Sequence, residues 1–262
     1  ARAGALLAVL ASLARPAGAG DVDVHWGYDG EAAPAHWAEL NPAFETCGRG
    51  HQQSPVDLPV ATGADNAATS PARLEVFHHE HALDVANNGH TVAVTYDDGD
   101  RLSLDGTDYR LVQYHFHAPS EHTVGGEHFP LELHLVHRAA SGALAVVGVL
   151  IEHGAANAAY AAVVDHLPTA PGASAHLEHV AVDIDALLPP ARQAFTYAGS
   201  LTTPPCTEGV RWLVLRTPVA LGSAQIGQLE RVLRHNNRPV QARYERPLGT
   251  TTVDTRSLPP RH

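Results

Sequence analysis

Alternation of apolar and polar residues predicts that this chain is built mainly from strands. A period of two, as expected for strands with one buried face, occurs in residues 90–96, 110–117, 131–137 and 210–215. Residues 144–152 form a continuous apolar run, which is typical of a strand buried on both faces. These patterns indicate a β-rich domain with a large sheet.

Helical patterns are few and short. Residues 157–167 and 223–234 are predicted helices, and Ser223 is the predicted N-cap of the second. The Asn-Gly pair at 88–89 and the Asp-Gly pair at 98–99 predict turns between strands. We therefore expect the helices to be peripheral to the sheet.

Composition and charge narrow the function classes. Of the 262 residues, 44% are hydrophobic, which allows a sizeable core. The formal net charge is -11, and all 17 basic side chains are arginine. This balance argues against nucleic acid as a partner and offers no basic patch for an anionic membrane. No repeat or linker divides the chain, so we expect one domain over residues 20–262.

The first residues have the pattern of a secretory signal peptide. Arg2 precedes an apolar run over residues 5–14, and residues 17–19 have the A-x-A form of a cleavage site. The apolar run is too short to span a bilayer. We therefore expect residues 1–19, approximately, to be a signal peptide and the protein to be exported, either periplasmic or secreted.

Two cysteines, Cys47 and Cys206, are the only ones in the chain. In an oxidising compartment an even pair is most simply one disulfide, and the alternative is two buried free thiols. A bridge would close a loop of about 160 residues, for which the chain-entropy model gives an upper figure of roughly 5 kcal/mol.

The polar positions of two predicted strands carry histidines in a metal-binding pattern. Gln113, His115 and His117 share one strand face, and Glu132 and His134 share a face of the other strand. If the strands are antiparallel neighbours, three imidazoles converge, which suits a catalytic Zn²⁺ with one open position. The glutamine and the glutamate could each accept the second ring N–H of the ligand two residues on. A lone H-x-H pair would more simply be a polar strand face.

The chain resembles the α-class carbonic anhydrases, in the bacterial form that is exported and has a single disulfide. The matching stretches run from about residue 25 to 247. They are HWGYDG (25–30), HQQSPVDL (51–58), NNGH (87–90), QYHFHAPSEHTVGG (113–126), LELHLVH (131–137), SLTTPP (200–205) and NNRPVQ (236–241). The resemblance implies a mainly β fold: a large twisted, mostly antiparallel central sheet with short peripheral helices and a zinc at the bottom of a cleft.

The activity that the resemblance implies is the reversible hydration of carbon dioxide to bicarbonate and a proton through a zinc-bound hydroxide. His115, His117 and His134 match the zinc ligands, with Zn²⁺ as the cofactor. Thr202 matches a residue that orients the hydroxide, and Glu121 would accept the hydrogen bond of the Thr202 hydroxyl.

Further roles follow from the same resemblance. Thr203 is expected to contact bicarbonate. An apolar wall that holds carbon dioxide is matched by Val136, Val146, Leu201, Val210 and Trp212, for each of which plain core packing is the alternative. A Cys47–Cys206 bridge would hold the loop that carries Thr202.

A proton carrier is the last part that the resemblance implies. His90 matches the residue that moves protons from the site to buffer, and an imidazole pKa of about 6.5 suits that task. Tyr28 and Asn88 match residues that order water along the path. Ala93 stands where the family has a polar residue, so this chain departs from the family there. His122 receives no role.

Other classes of protein fit the pattern less well. A copper/zinc dismutase would need further histidines and a bridging aspartate, and a cupin-type iron site would need a carboxylate ligand. A non-enzymatic zinc-binding or adhesive protein of the same fold should lack a ligand, the threonine or the glutamate.

The resemblance also implies that sulfonamides and anions inhibit the activity. The sequence leaves the oligomeric state open, and a homodimer is one of the possibilities.

Overall fold

The structure is a computed structural model that describes residues 24–60, 72–77, 82–96, 100–180 and 182–258. The signal peptide predicted at residues 1–19 and the turn predicted at 98–99 lie outside these residues. No helix among the described residues is long and apolar enough to cross a membrane.

Strands dominate the described chain, as the alternation predicts. They are β1 (Asp57–Leu58), β2 (Ala72–Phe77), β3 (Leu83–Asn87), β4 (Val92–Thr95), β5 (Arg101–Leu104), β6 (Thr107–His117), β7 (Thr123–Val124), β8 (Glu127–His128), β9 (Leu131–Ala139), β10 (Leu144–His153), β11 (Ser174–Leu177), β12 (Gln193–Ser200), β13 (Glu208–Leu221) and β14 (Gly249–Leu258). The helices are α1 (Trp37–Leu40), α2 (Thr46–Arg49), α3 (Ala158–Val164) and α4 (Ser223–Leu233), with short 3₁₀ turns at Gly30–Ala32, Pro42–Phe44 and Asp185–Leu187. All five strand predictions are confirmed.

Eleven of the strands form one large sheet, in the order β11-β3-β4-β6-β5-β2-β14-β12-β13-β10-β9, with β6 also pairing with β9. The neighbours β2–β14 and β10–β13 are parallel. The other described neighbours in this sheet are antiparallel. The predicted fold class, mainly β with a mostly antiparallel sheet and short helices, is confirmed. A second sheet, β1-β7-β8, is small.

Both predicted helices are present, as α3 and α4, but the N-cap of α4 is not the predicted residue. The N-cap of α4 is Gly222, whose backbone is extended, and Ser223 is the first helical residue, so the predicted Ser223 cap is wrong. The Gln225 side chain accepts a hydrogen bond from the Gly222 N–H at 3.2 Å, so a glutamine three residues on takes over the capping.

An irregularity at Val112 in β6 changes which residues face each side of the sheet. Leu111 pairs with His137, but Gln113 pairs with Val136, so two residues of β6 span one step of β9. Leu111 therefore packs into the larger apolar cluster, whereas Gln113 lies on the opposite face. Without this bulge the period of two would turn Gln113 into the apolar core.

The two faces of the sheet have different cores. The larger cluster covers one face and includes Leu131, Leu133 and Leu135 from β9. A second cluster covers the other face and includes Val136, from the same strand. The alternation along β9 thus separates the main core from the face on which Glu132 and His134 lie.

His137 continues the apolar side of β9 and is fully buried. Its Nδ1 lies 3.0 Å from the Leu135 carbonyl oxygen, and its Nε2 has no hydrogen-bond partner. Burial lowers the pKa of His137 from its ordinary value of 6.5 to about 4. A proton added here would therefore be a buried charge that the backbone groups of Leu135 and Ala145 compensate only in part.

The first prediction concerns acid stability. The unfolded chain takes up the His137 proton at a higher pH than the folded protein does. This contribution to stability is therefore complete above pH 6.5 and is lost as the pH falls towards 4. From pH 7 to 5, the free energy of unfolding should fall by about 2 kcal/mol less in His137→Leu than in the wild type. Urea denaturation in one metal state measures this, and equal declines would contradict it.

Candidate metal centre

Antiparallel pairing of β6 with β9 brings the three predicted ligand histidines together. His115 lies directly opposite His134, and His117 lies opposite Glu132. The ring centroids of the three histidines are 4.5 to 5.2 Å apart. One ring nitrogen of each lies within 4.8 Å of the other two, and all three side chains are buried. The strand-face argument from the sequence therefore predicted this cluster correctly.

A hydrogen bond behind each imidazole selects which nitrogen faces the centre. Nδ1 of His115 lies 2.9 Å from Gln113 Oε1, and Nε2 of His134 lies 2.9 Å from Glu132 Oε1. Nδ1 of His117 lies 2.7 Å from the backbone oxygen of Asn236. These contacts leave Nε2 of His115, Nε2 of His117 and Nδ1 of His134 facing one another. Gln113 and Glu132 lie where they were predicted.

The three imidazoles are neutral, as metal ligands must be. Burial is the main cause that lowers the pKa of each, to about 4 for His117. Neighbouring histidines lower it further, while the Glu132 carboxylate acts in the opposite direction.

The donor set fits Zn²⁺. Nε2 of His117 is buried and has no hydrogen-bond partner, which is costly unless something binds it. Three neutral imidazole nitrogens in close convergence are the ligand set of a catalytic zinc site with one open position. The residues present therefore suit the cofactor that the sequence predicted.

Glu132 is a buried anion that is fully hydrogen-bonded. Its Oε1 accepts from His122 Nδ1 at 2.7 Å as well as from His134, and its Oε2 accepts from the N–H groups of Glu121 and His122. Burial alone would raise the pKa of Glu132, but its interactions with His122 and His134 bring it well below its ordinary value. Glu132 can therefore hold His134 firmly in one orientation.

His122 belongs to this network, although the sequence suggested no role for it. Its Nε2 lies 2.7 Å from the hydroxyl of Tyr197, which in turn donates to Ser54 at 2.9 Å. Glu132 and Tyr197 are 10 and 75 residues away in sequence, so no local pattern reveals the contact.

Asn236 is the second functional residue that the sequence reasoning missed. Its side chain accepts from the Ala118 N–H at 2.8 Å and donates to the Phe116 carbonyl at 3.0 Å, so it binds the end of β6. The same residue presents its backbone oxygen to His117. The stretch NNRPVQ indicated the family, but nothing in it indicated a contact with a ligand.

Glu121 lies beside the centre, closer than the sequence suggested. Its Oε2 is 3.5 Å from His117 Nε2 and 3.9 Å from His134 Nδ1, and its Oε1 accepts from the Arg238 N–H at 2.8 Å. Burial raises its pKa to about 7, although His134, the Thr202 hydroxyl and the Arg238 N–H act to lower it. Thr202 is thus close enough to Glu121 to act on its pKa, but Glu121 Oε2 accepts no hydrogen bond from the described residues, so the bond from the Thr202 hydroxyl stays a prediction.

A disulfide joins Cys47 to Cys206, as predicted, across a sequence separation of 159. The Cys206 N–H donates to the Thr203 carbonyl at 2.8 Å, and the Leu201 N–H donates to the Thr207 carbonyl at 3.0 Å. These bonds close a tight loop that contains the buried side chain of Thr202. The bridge therefore reaches the loop that carries this threonine.

The five residues predicted for an apolar wall lie in one cluster. Val136, Val146, Val210 and Trp212 are buried in it, and Leu201 packs against it half-buried. The Trp212 ring lies 4.9 Å from the His134 ring, between centroids. The wall is therefore next to the histidine cluster and separate from the main core.

His90 lies half-buried in the turn between β3 and β4, with its ring stacked on Trp26 at 3.8 Å between centroids. Burial, and then the charge of His25, lower its pKa from 6.5. The Asn88 side-chain oxygen accepts from the N–H groups of His90 and Thr91, which confirms the predicted turn.

Two residues near this turn were singled out with His90. Tyr28 is half-buried, and burial together with the Glu121 charge raises its pKa well above 10. Ala93, where the family has a polar residue, lies opposite His115 on the neighbouring strand.

Comparison with known proteins identifies the class. A sequence model of the eukaryotic-type carbonic anhydrases matches residues 32–256. The carbonic anhydrase of Pectobacterium atrosepticum is 43% identical over 241 residues, covering 90% of this chain and 94% of that protein. The carbonic anhydrase of a Nostoc species is 41% identical over 223 residues, with coverages of 85% and 84%.

The solved structure of the α-carbonic anhydrase from Thermovibrio ammonificans, in complex with the inhibitor sulfanilamide, has the same fold. Its TM-score is 0.80 at 41% identity, covering 86% of this chain and 98% of that chain. The fold and the histidine cluster therefore define a metal-site enzyme of a known class. The chain belongs to the eukaryotic-type, or α, carbonic anhydrase family.

The second prediction tests the support behind His134. A Cβ on Gly148 would lie 2.9 Å from Glu132 Oε1, closer than such contacts normally are. Gly148→Ala should therefore displace the carboxylate and weaken Zn²⁺ affinity by about tenfold, as other changes behind metal ligands do. Competition with a chromogenic chelator measures this affinity.

Gly227→Ala is the matched control, because its Cβ would lie 3.5 Å from the nearest atom, on Arg231. Zn²⁺ affinity in this control should equal that of the wild type. Equal affinity in Gly148→Ala would show that the position of Glu132 does not limit metal binding.

Proposed function

We propose that this protein is a zinc enzyme that catalyses the reversible hydration of carbon dioxide to bicarbonate and a proton. The observation that carries the proposal is the convergence of three buried, neutral imidazoles beside Glu121, in a chain of the carbonic anhydrase family. His115, His117 and His134 would hold the ion. When bound, Zn²⁺ acts as a Lewis acid that lowers the pKa of a water molecule to about 7 in this family.

Thr202 and Glu121 would orient the nucleophile towards carbon dioxide. An ionised carboxylate only accepts hydrogen bonds, so Thr202 would donate its hydroxyl proton to Glu121. The Thr202 oxygen would then be free to accept a hydrogen bond from the nucleophile and so orient the nucleophile's lone pair towards carbon. Arg238 supports this arrangement, because its N–H binds the other carboxylate oxygen at 2.8 Å.

The apolar wall would receive the substrate. Carbon dioxide has no net charge and no hydrogen to donate, so a wall of Val136, Val146, Leu201, Val210 and Trp212 can hold it without losing polar contacts. Thr203 is half-buried and follows Leu201 and Thr202 on the same loop, and we assign it to bicarbonate. Apolar residues here also keep competing water away.

His90 would carry the proton to buffer. A group of pKa about 7 loses its proton to bare water at only roughly 10³ per second, whereas fast carbonic anhydrases reach about 10⁶ per second. A half-buried imidazole with a pKa below 6.5 can accept a proton and pass it on. Tyr28 and the amide group of Asn88 would order water on this path, without help from Ala93.

Location and ligands complete the proposal. The disulfide fits an exported protein, and we propose residues 20–262 as one carbonic anhydrase domain, periplasmic or secreted after removal of residues 1–19. Because a relative of 41% identity binds sulfanilamide, we expect sulfonamides to bind here at the histidine cluster.

The third prediction is zinc-dependent hydration. Stopped-flow measurement with a pH indicator should show carbon dioxide hydration by the zinc-loaded protein, loss of the rate after chelation, and recovery with added Zn²⁺. Sulfanilamide should abolish the same rate. A zinc-loaded, folded protein with no rate above the buffer background would contradict the proposed function.

The fourth prediction concerns His90. His90→Ala should lower kcat by about tenfold or more in dilute buffer, because a positioned general acid–base group typically contributes about 10²–10⁴-fold. It should leave kcat/KM unchanged, and added imidazole should restore kcat. His153→Ala is the control, since His153 is an exposed histidine at the end of β10, which pairs with β9 and β13. Unaltered kcat of His90→Ala in dilute buffer would exclude this carrier.

A further inference from the structure

Arg238 is an arginine in the interior with only 1% of its surface exposed. Its Nη1 donates to Gln53 Oε1 and to the Ser54 carbonyl, both at 2.8 Å, and its Nη2 donates to the Cys47 carbonyl at 2.7 Å. The guanidinium also lies 5.6 Å from the centroid of the Trp37 ring. The Glu121 charge raises the pKa of Arg238, but these three bonds go to an amide oxygen and two carbonyls, whereas so buried an arginine usually pairs directly with a carboxylate. These bonds therefore need an explanation.

The backbone around Arg238 holds three parts of the proposed site. The Arg238 N–H binds Glu121, the Asn236 carbonyl faces the ligand His117, and the Asn236 side chain donates to the His90 carbonyl at 3.0 Å. Residues 236–238 lie outside the helices and strands, so side-chain anchors rather than a sheet must fix them. The Arg238 guanidinium is such an anchor.

The same guanidinium extends to both ends of the disulfide. Gln53 accepts from Arg238 and donates its own Nε2 to the Cys206 carbonyl at 3.1 Å. Arg238 and Gln53 thus bind the backbone carbonyls of both Cys47 and Cys206. We call this pair, with these two bonds, the Arg238–Gln53 clamp.

We propose that Arg238 is a positioning residue for catalysis, which acts through the Arg238–Gln53 clamp. The clamp holds the Thr202 loop, which ends at Cys206, in a fixed position relative to residues 236–238, the segment that binds Glu121. Within the clamp, the bond from Gln53 to Cys206 acts in parallel with the disulfide, so that with Arg238 in place either of these two links holds the Thr202 loop. This inference rests on the proposed function.

A planar guanidinium is required at this place. Its nitrogens donate in fixed directions from one rigid plane, and three acceptors on separate segments match that fork. A lysine ammonium carries the same charge but cannot place hydrogen bonds in this geometry. Charge and geometry can therefore be separated by experiment.

The fifth prediction begins with Arg238→Lys. Its kcat/KM for carbon dioxide, expressed per zinc-loaded molecule, should fall by about tenfold, since a bond to a charged group contributes more than a neutral one. Arg211→Lys is the control, because the Arg211 side chain is 38% exposed and pairs with Asp105 at 3.0 Å. Wild-type kcat/KM in Arg238→Lys would overturn the inference, because a purely structural role would change only the folded fraction.

A double cycle of Gln53→Met and disulfide reduction then tests whether the clamp and the disulfide act in parallel. It does not require that Arg238→Lys folds. Wild type and Gln53→Met are compared with the disulfide intact and reduced, with thiols counted. Either change alone should lower kcat/KM by less than about threefold, and both together by about thirtyfold or more, a non-additivity expected of coupled restraints. Losses that simply multiply would overturn the clamp.

The oxidised wild type separates this inference from the proposed function. If it fails to hydrate carbon dioxide when loaded with zinc, the proposed function and the inference both fall. If it is active and the Gln53→Met cycle is additive, only the inference falls.

Discussion

The site depends on one pairing, that of β6 with β9 in a fixed antiparallel register. This register sets His115 against His134 and His117 against Glu132. The bulge at Val112 is part of the same constraint, because it shifts the phase of β6 by one residue. The histidines then lie on the face of the second apolar cluster, while Tyr114 and Phe116 pack into the larger one. A slip of one residue would exchange these faces and remove the site.

Burial at the β6–β9 pair accompanies opposite charge states, neutral for the three histidines and ionised for Glu132. It keeps three imidazoles neutral, so their nitrogens are free to bind a cation, and it surrounds the anion of Glu132 with enough hydrogen bonds to keep it charged. A buried polar group is tolerated only when it is paired, and here each pairing also orients a ligand. The same hydrogen bonds that stabilise the interior thus shape the metal site.

The main strands, and the side chains that the metal centre takes from β6 and β9, could be predicted from the alternation of apolar and polar residues alone. Strand faces are a local property, so Gln113, Glu132 and the three histidines were correctly placed on shared faces. His122, Asn236 and Arg238 were missed. Each acts through a partner on a distant segment, such as Tyr197 for His122 and Cys47 for Arg238, and local periodicity carries no information about such contacts. The cap of α4 differed by one residue, because Gly222 is already extended and accepts the first helical hydrogen bonds with its backbone oxygen, so Ser223 is the first helical residue.

By itself, the sequence determined which residues could bind a metal and which strand face would carry them, since a period of two follows from backbone geometry. Only the tertiary structure decided which nitrogen of each histidine faces the centre, because the partner behind His117 is 119 residues away. It also decided that Glu121 lies within 3.5 Å of that histidine and that both half-cystine carbonyls are held by Arg238 and Gln53. Long-range hydrogen bonds arise from how segments pack, and packing is a property of the whole chain.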